Sequence, residues 1–213
     1  MRHALFAAQR AMRDQLRSAL RRGLLGLVDI GTFKTCCLIL KVDPARLAAS
    51  SHEEAHLGGF GAMRVVGVGV TRSRGVRLGE IVEMEECERA IRTALQQAEK
   101  MAGLRVDQVV GAMSGGRPLS FGATGEAEVM TGEVSEADVA AALGACPEPP
   151  EAEDREILHA LPVNFTLDRT SFLADPRGMA GERLSVDMHV LSVAGAPLRN
   201  LARCIRRCDL ELA

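Results

Sequence analysis

Asp29-Ile30-Gly31-Thr32-Phe33-Lys34 is the stretch of this sequence best equipped for chemistry. Apolar runs flank it within Leu24 to Leu40, so it reads as the turn of a strand hairpin. Gly31 is expected to turn backbone amides outward, Thr32 adds a hydroxyl, and Lys34 brings a cation on the return strand. Amides, a hydroxyl and a cation around one turn make a phosphate cradle. Asp29, at the end of the first strand, is suited to hold water around a magnesium ion, which keeps several waters at phosphate sites. The D-x-G-T pattern alone is weak, because many hairpins contain it by chance.

Other reactive side chains make poorer sites. His52-Glu53-Glu54-Ala55-His56 has the spacing by which two histidines on one helical face ligate zinc. Ser50 and Ser51 precede it, Gly58 and Gly59 follow, and no third ligand stands at a recognised spacing, so a solvated loop is expected. Six cysteines occur, none as C-x-x-C. Cys36 and Cys37 are adjacent in the return strand and must point to opposite faces. Cys204 and Cys208 share one side of a helix, and packed thiols are expected throughout.

The elements that hold these residues follow from periodicity. The chain has 213 residues, 47% hydrophobic and 25% charged, as in a globular protein with a sizeable core. A net charge of -2 and the absence of Trp and Tyr do not point to nucleic acid. Residues 1–23 form a basic arm of helical spacing, with Leu5, Met12, Leu16 and Ala19 among six arginines. Its apolar face is thin. The arm lacks the unbroken apolar core of a signal peptide, and no run has the length of a spanning helix, which fits a reduced cytosolic setting. Asp43 to Ala62 reads as a loop, Arg64 to Val70 as a strand, and Gly79 to Val82 as a short strand. Glu83 to Gly103 reads as a helix striped by Ala90, Ile91, Ala94, Leu95, Ala98 and Met101, with Gly103 at its end. Val106 to Met113 reads as a strand ended by Ser114-Gly115-Gly116.

A small α+β insert follows, with short strands at Leu119 to Phe121 and Gly125 to Met130. Ser135 and Asp138 form a capping box for a helix to Ala145. Ile157 to Asp168 reads as a strand with a bulge or edge at Pro162. Arg183 to Ala194 is a strand with Leu184, Val186, Met188 and Val190 on one face. Pro197 is expected at the first position of a helix. Leu210 to Ala213 reads as the opening of another strand, which leads to the expectation that the chain is a fragment.

The order of these motifs resembles the FtsA family of actin-like, ATP-binding bacterial cell-division proteins. Beyond the first hairpin, the resemblance rests on Ser73-Arg74-Gly75 followed by Gly79-Glu80-Ile81-Val82, and on Ala98 to Gly103. Ile157 to Pro162, Gly178 to Leu184 and Cys204-Ile205-Arg206-Arg207-Cys208 also carry it. The resemblance implies an α/β, ribonuclease-H-like subdomain 1A over residues 24–113 and 193–213. The family's subdomain 1C would be inserted at residues 114–192, with the C-terminal half missing. It also implies ATP and Mg as cofactors, FtsZ and later division proteins as partners, and self-association into actin-like polymers. Membrane attachment would come from a C-terminal helix that this chain lacks, and the location would be the cytoplasmic face of the inner membrane. Three departures stand out: Phe33 replaces a small residue in the turn, the loop from Asp43 to Ala62 is longer than the family's, and Arg117 stands where His is expected.

Gly31, Thr32, Phe33 and Lys34 are then the expected phosphate contacts, with Asp29 holding magnesium through water. No catalytic residue is expected, and a single hairpin is not expected to bind ATP tightly or hydrolyse it. Two other readings stay open. The insert could serve as a protein-docking module through its strand edges and the acidic loop carrying Glu148 and Glu153. Or the chain could be another actin-like protein, for which a sugar kinase or chaperone ATPase would need a different insert; PilM is the nearer rival.

Overall fold

The computed structural model describes residues 14–49, 60–147 and 154–213. The basic arm before residue 14, the His52 to His56 motif, Glu148 and Glu153 lie outside the described residues. The chain forms two compact units: residues 117–194, and the segments that flank them.

The flanking segments build a five-stranded sheet. Helix α1 (residues 14–21) leads into β1 (Leu24–Ile30), which pairs antiparallel with β2 (Lys34–Val42). β2 pairs antiparallel with β3 (Met63–Arg72). β6 (Gln108–Met113) lies parallel to β1 on its other side, and β11 (Glu211–Leu212) lies parallel to β6, giving the order β11-β6-β1-β2-β3. Alternation sends Val28, Ile30, Cys37, Ile39 and Val109 to one face. Helices α3 (Met84–Ala102) and α5 (Gly195–Arg206) supply Cys87, Ile91, Ala94, Leu95, Leu201, Cys204 and Ile205 to the same core. On the opposite face, Val65, Val68 and Val70 of β3 stay exposed.

Helix α3 lies almost directly on β3. A Cβ added at Gly69 would stand 1.8 Å from the Ala94 carbonyl oxygen, and one at Gly67 would stand 2.2 Å from that of Ala98. Gln97 of the same helix accepts the Val70 amide of this edge strand at 3.1 Å. The helix ends at Gly103, whose φ of 65° is a left-handed conformation that glycine adopts without steric cost.

The sequence reading needs several corrections here. The stretch read as a loop from Asp43 begins with helix α2 (Pro44–Ala49), because Asp43 Oδ1 accepts the amides of Ala45 and Arg46 and Pro44 has the right φ for a first turn. Before the short strand at Glu80 stands another, so that β4 (Val76–Arg77) and β5 (Glu80–Ile81) form a small hairpin. Helix α5 starts two residues ahead of Pro197, which still falls in the first turn, where a missing N–H costs nothing.

In the unit of residues 117–194, a four-stranded antiparallel sheet has the order β7-β10-β8-β9. β7 (Leu119–Glu128) is one continuous strand, not two, because its glycines extend without breaking the pairing to β10 (Arg183–Ala194). Gly125 instead admits helix α4 (Glu136–Ala145): a Cβ there would stand 2.1 Å from the Ala142 carbonyl oxygen. β8 (Arg155–Leu167) carries a register shift beside Pro162 where it pairs with β10. It is an inner strand, since β9 (Thr170–Leu173), which periodicity did not reveal, covers its outer side. Leu184, Val186, Met188 and Val190 are buried against the helix side of this sheet. Arg155 joins the two ends of the unit: its Nη2 donates to the carbonyls of Arg117 at 2.8 Å and Ser192 at 2.7 Å.

The capping box of α4 is formed as its spacing indicates, with Ser135 Oγ accepting the Asp138 amide and Asp138 accepting the Ser135 amide. Donation from the Ser135 hydroxyl, and then from its amide, holds the Asp138 carboxyl below its ordinary value of 3.8. A depressed carboxyl stabilises the fold above the unfolded value, and that contribution is lost as pH falls through the folded one. In urea titrations, Ser135→Ala is expected to be less stable than wild type near neutral pH, with the gap narrowing below pH 3.8. Gly69→Ala is expected to lose about 3 kcal/mol or more in the same assay, because helix and strand must separate to admit a methyl group.

Candidate phosphate-binding site

The hairpin between β1 and β2 turns over Gly31 to Phe33. Its closing bond runs from the Gly31 amide to the Lys34 carbonyl at 3.0 Å. Gly31's own amide is thus committed inside the turn. Among the described residues, no carbonyl accepts the amides of Thr32 and Phe33. The Phe33 side chain is 87% exposed, so it leaves the turn open rather than narrowing it.

Register places the charged residues. Asp29 is opposite Cys36 on β2 and opposite Ala112 on β6. Lys34 stands two residues before Cys36, on the face of the sheet that Asp29 shares and diagonal to it. Asp29 is half-buried and Lys34 exposed. A carboxylate, a lysine and two uncommitted amides thus surround one turn. Ile30 lies beside Met113 in the parallel pair, so this turn and the Ser114-Gly115-Gly116 turn leave the same end of the sheet. The chain departs from β1 toward β2, while β6 has β11 on its far side. Such a divergence outside the carboxyl ends of parallel strands is where α/β sheets bind ligands.

A second layer supports the turn, and the sequence did not reveal it. Thr32 Oγ1 accepts the Gly79 amide at 2.9 Å. Ser73 donates its amide to the Phe33 carbonyl at 3.0 Å, and its hydroxyl lies 2.9 Å from that of the fully buried Thr35. Ser73 and Gly79 appear in the sequence as a turn residue and the opening of a short strand; nothing in their spacing shows a return to the first hairpin.

The donor set fits a phosphate, and Asp29 fits a hydrated divalent ion bound to it. Among the described residues, no group of three or more His, Cys, Asp and Glu is arranged to hold a metal by itself. The cysteines pack as thiols: all six are free. Burial, with smaller contributions from Cys36 and Glu99, pushes the Cys37 thiol up to about 12. Cys204 is likewise raised, first by its hydrogen bond with Cys87 and then by burial.

Comparison with known proteins bears on this geometry. The family model described as "SHS2 domain inserted in FTSA" matches residues 115–192. Cell division protein FtsA of Agrobacterium fabrum is 35% identical over 195 residues, 92% of this chain and 43% of that protein. Over about nine-tenths of its length this chain is thus similar to FtsA proteins. FtsA of Pseudomonas aeruginosa is 30% identical over 89% of the chain and 42% of its own length, and FtsA of Escherichia coli is 24% identical over 90% and 42%. This chain therefore spans less than half the length of the FtsA relatives it matches. A chain of a PilM–PilN type IV pilus biogenesis complex superposes with a TM-score of 0.49 at 14% identity, over 87% of this chain and 45% of that one. The matched residues begin within the Ser114-Gly115-Gly116 turn that follows β6 and end in β10, ahead of α5.

Exposure makes two outcomes testable. Phe33→Ala is expected to leave the thermal midpoint unchanged, since the ring packs on little. In native protein near pH 8, a maleimide is expected to label half-exposed Cys36 well before Cys37, with both reacting in urea; mass spectrometry of digests reads the order.

Proposed function

We propose that this chain supplies one phosphate-gripping side of an actin-like, ATP-binding cell-division protein. The observation that carries this reading is the turn at Gly31 to Lys34. It lies at the carboxyl ends of β1 and β6 with Asp29 beside it, in a chain similar to FtsA proteins. The backbone amides of Thr32 and Phe33, the Thr32 hydroxyl and Lys34 would hold phosphate oxygens. Asp29 would orient water on the magnesium ion that accompanies ATP. When bound, that ion offsets phosphate charge; Asp29 and Lys34 set the position of the nucleotide.

The donors number few, each charge-assisted bond contributing roughly 1.5–3 kcal/mol. Immobilising the nucleotide offsets much of that. Binding by these residues alone is therefore weaker than micromolar, and hydrolysis is not assigned to them. In the assembled protein the same site would govern polymer formation, with FtsZ and later division proteins as partners at the cytoplasmic face of the inner membrane. No described helix is long and apolar enough to cross a membrane, which agrees with attachment at that face.

A second reading gives the insert a docking role. Residues 117–194 hold 14 acidic residues against 5 arginines. Phe172 is 90% exposed on a backbone with φ of 64°, a conformation that costs a bulky residue energy. An acidic surface with a projecting aromatic suits a basic, apolar segment of a partner.

Calorimetric titration with ATP separates the roles at the turn. Lys34→Ala is expected to weaken binding with or without magnesium by about tenfold. Asp29→Asn is expected to remove the gain that magnesium gives and leave metal-free binding unchanged. Equal binding by all three proteins would refute the assignment.

A further inference from the structure

Thr32 and Gly79 lie 47 residues apart in sequence and meet at the turn. A threonine hydroxyl carries one hydrogen and two lone pairs, whereas a backbone amide only donates. In the bond between them Thr32 Oγ1 must accept, at 2.9 Å, so its own hydrogen remains free to point elsewhere. Among the described residues, no acceptor takes that hydrogen. The neighbouring amides of Thr32 and Phe33 are also uncommitted donors. With Lys34, the turn thus gathers several free donors, the feature that an oxyanion requires.

Gly79 is held where it is by two independent constraints. Its φ of 75° is left-handed. Its backbone also rests on the Ser114-Gly115 turn: a Cβ at residue 79 would stand 2.7 Å from the Gly115 nitrogen, and one at residue 115 would stand 2.4 Å from the Gly79 oxygen. Ser73 grips the other side of the hairpin through Phe33 and Thr35. The segment from Ser73 to Gly79 therefore clasps the turn at both ends, and the turn after β6 backs the clasp.

We propose that Gly79 is a positioning residue for the anion site: by donating to Thr32 Oγ1 it makes the Thr32 hydroxyl a dedicated donor to a phosphoryl oxygen. This rests on the nucleotide reading above and goes beyond it, because it assigns a role to a residue outside the hairpin. It also couples ligand and clasp. A phosphoryl oxygen that accepts the Thr32 hydrogen polarises the hydroxyl and strengthens its acceptance from Gly79. Ligand binding should then slow hydrogen exchange at the Gly79 amide, a residue that the phosphate does not touch.

Residue-resolved NMR of the full chain, titrated into the millimolar range with Mg-ATP and separately with inorganic tripolyphosphate, tests this. In wild type, the Thr32 and Phe33 amides are expected to shift and Gly79 exchange to slow. Thr32→Ser is expected to reproduce both effects. Thr32→Val, nearly the same shape without the hydroxyl, is expected to lose the Gly79 protection and about tenfold in affinity. Gly79→Ala is expected to lose as much; Thr32→Val carries the test if that variant does not fold. Binding by Thr32→Val equal to wild type, or Gly79 exchange indifferent to ligand, would overturn the positioning role and leave the nucleotide reading standing. No shift in wild type with either probe would overturn the nucleotide reading, and this inference with it.

Discussion

Backbone lies directly on backbone at several places among the described residues, and three of those contacts shape much of what the molecule presents to solvent. Helix α3 sits on β3 at Gly67 and Gly69, α4 sits on β7 at Gly125, and the turn at Gly79 sits on the one at Gly115. Side chains normally keep such elements about 10 Å apart. Where they are missing, carbonyl oxygens come within van der Waals range of a strand, and no residue with a Cβ can replace the glycine without moving a whole element. The first two contacts fix each helix on its sheet. The third sets the height of the loop that holds the β1–β2 turn.

That turn illustrates how donors come to face outward. Three of its acceptors are taken by neighbours: the Lys34 carbonyl by Gly31, the Phe33 carbonyl by Ser73, and the Thr32 hydroxyl oxygen by Gly79. The amides of Thr32 and Phe33, the Thr32 hydroxyl hydrogen and the Lys34 cation are left without such partners among the described residues. The exposed ring of Phe33 does not alter this, because the backbone defines the cradle and the side chain leaves it. The register of β1 then places Asp29 one strand from Lys34, so that opposite charges share a face without closing into an ion pair. The chemistry of the site is thus a product of pairing geometry more than of unusual side chains.

Strong periodicity was legible in the sequence. The hairpin of β1 and β2, the stripe of α3, the alternation of β10 and the Ser135 capping box each depend on local spacing, and local spacing is what a sequence displays. The FtsA-type order of motifs was legible for the same reason. What escaped were features decided by distant partners. β9 and β4 are too short to show a period and exist because a neighbouring strand pairs with them. β7 looked broken at its glycines because the reason for Gly125 lies in α4. The Asp43 cap was hidden in a stretch of small and charged residues. The contacts of Ser73 and Gly79 with the first hairpin were not legible, because their bonds span 38 to 47 residues.

Gln97 has an effect out of proportion to its size. A ten-residue edge strand is an invitation for another polypeptide to add itself to the sheet, the more so when its valines are uncovered. By laying its amide oxygen across the Val70 N–H, the glutamine occupies one rung of that ladder from within the same molecule. A stray strand arriving there would find its register interrupted part-way along. That border of the sheet therefore offers an arriving strand one rung fewer.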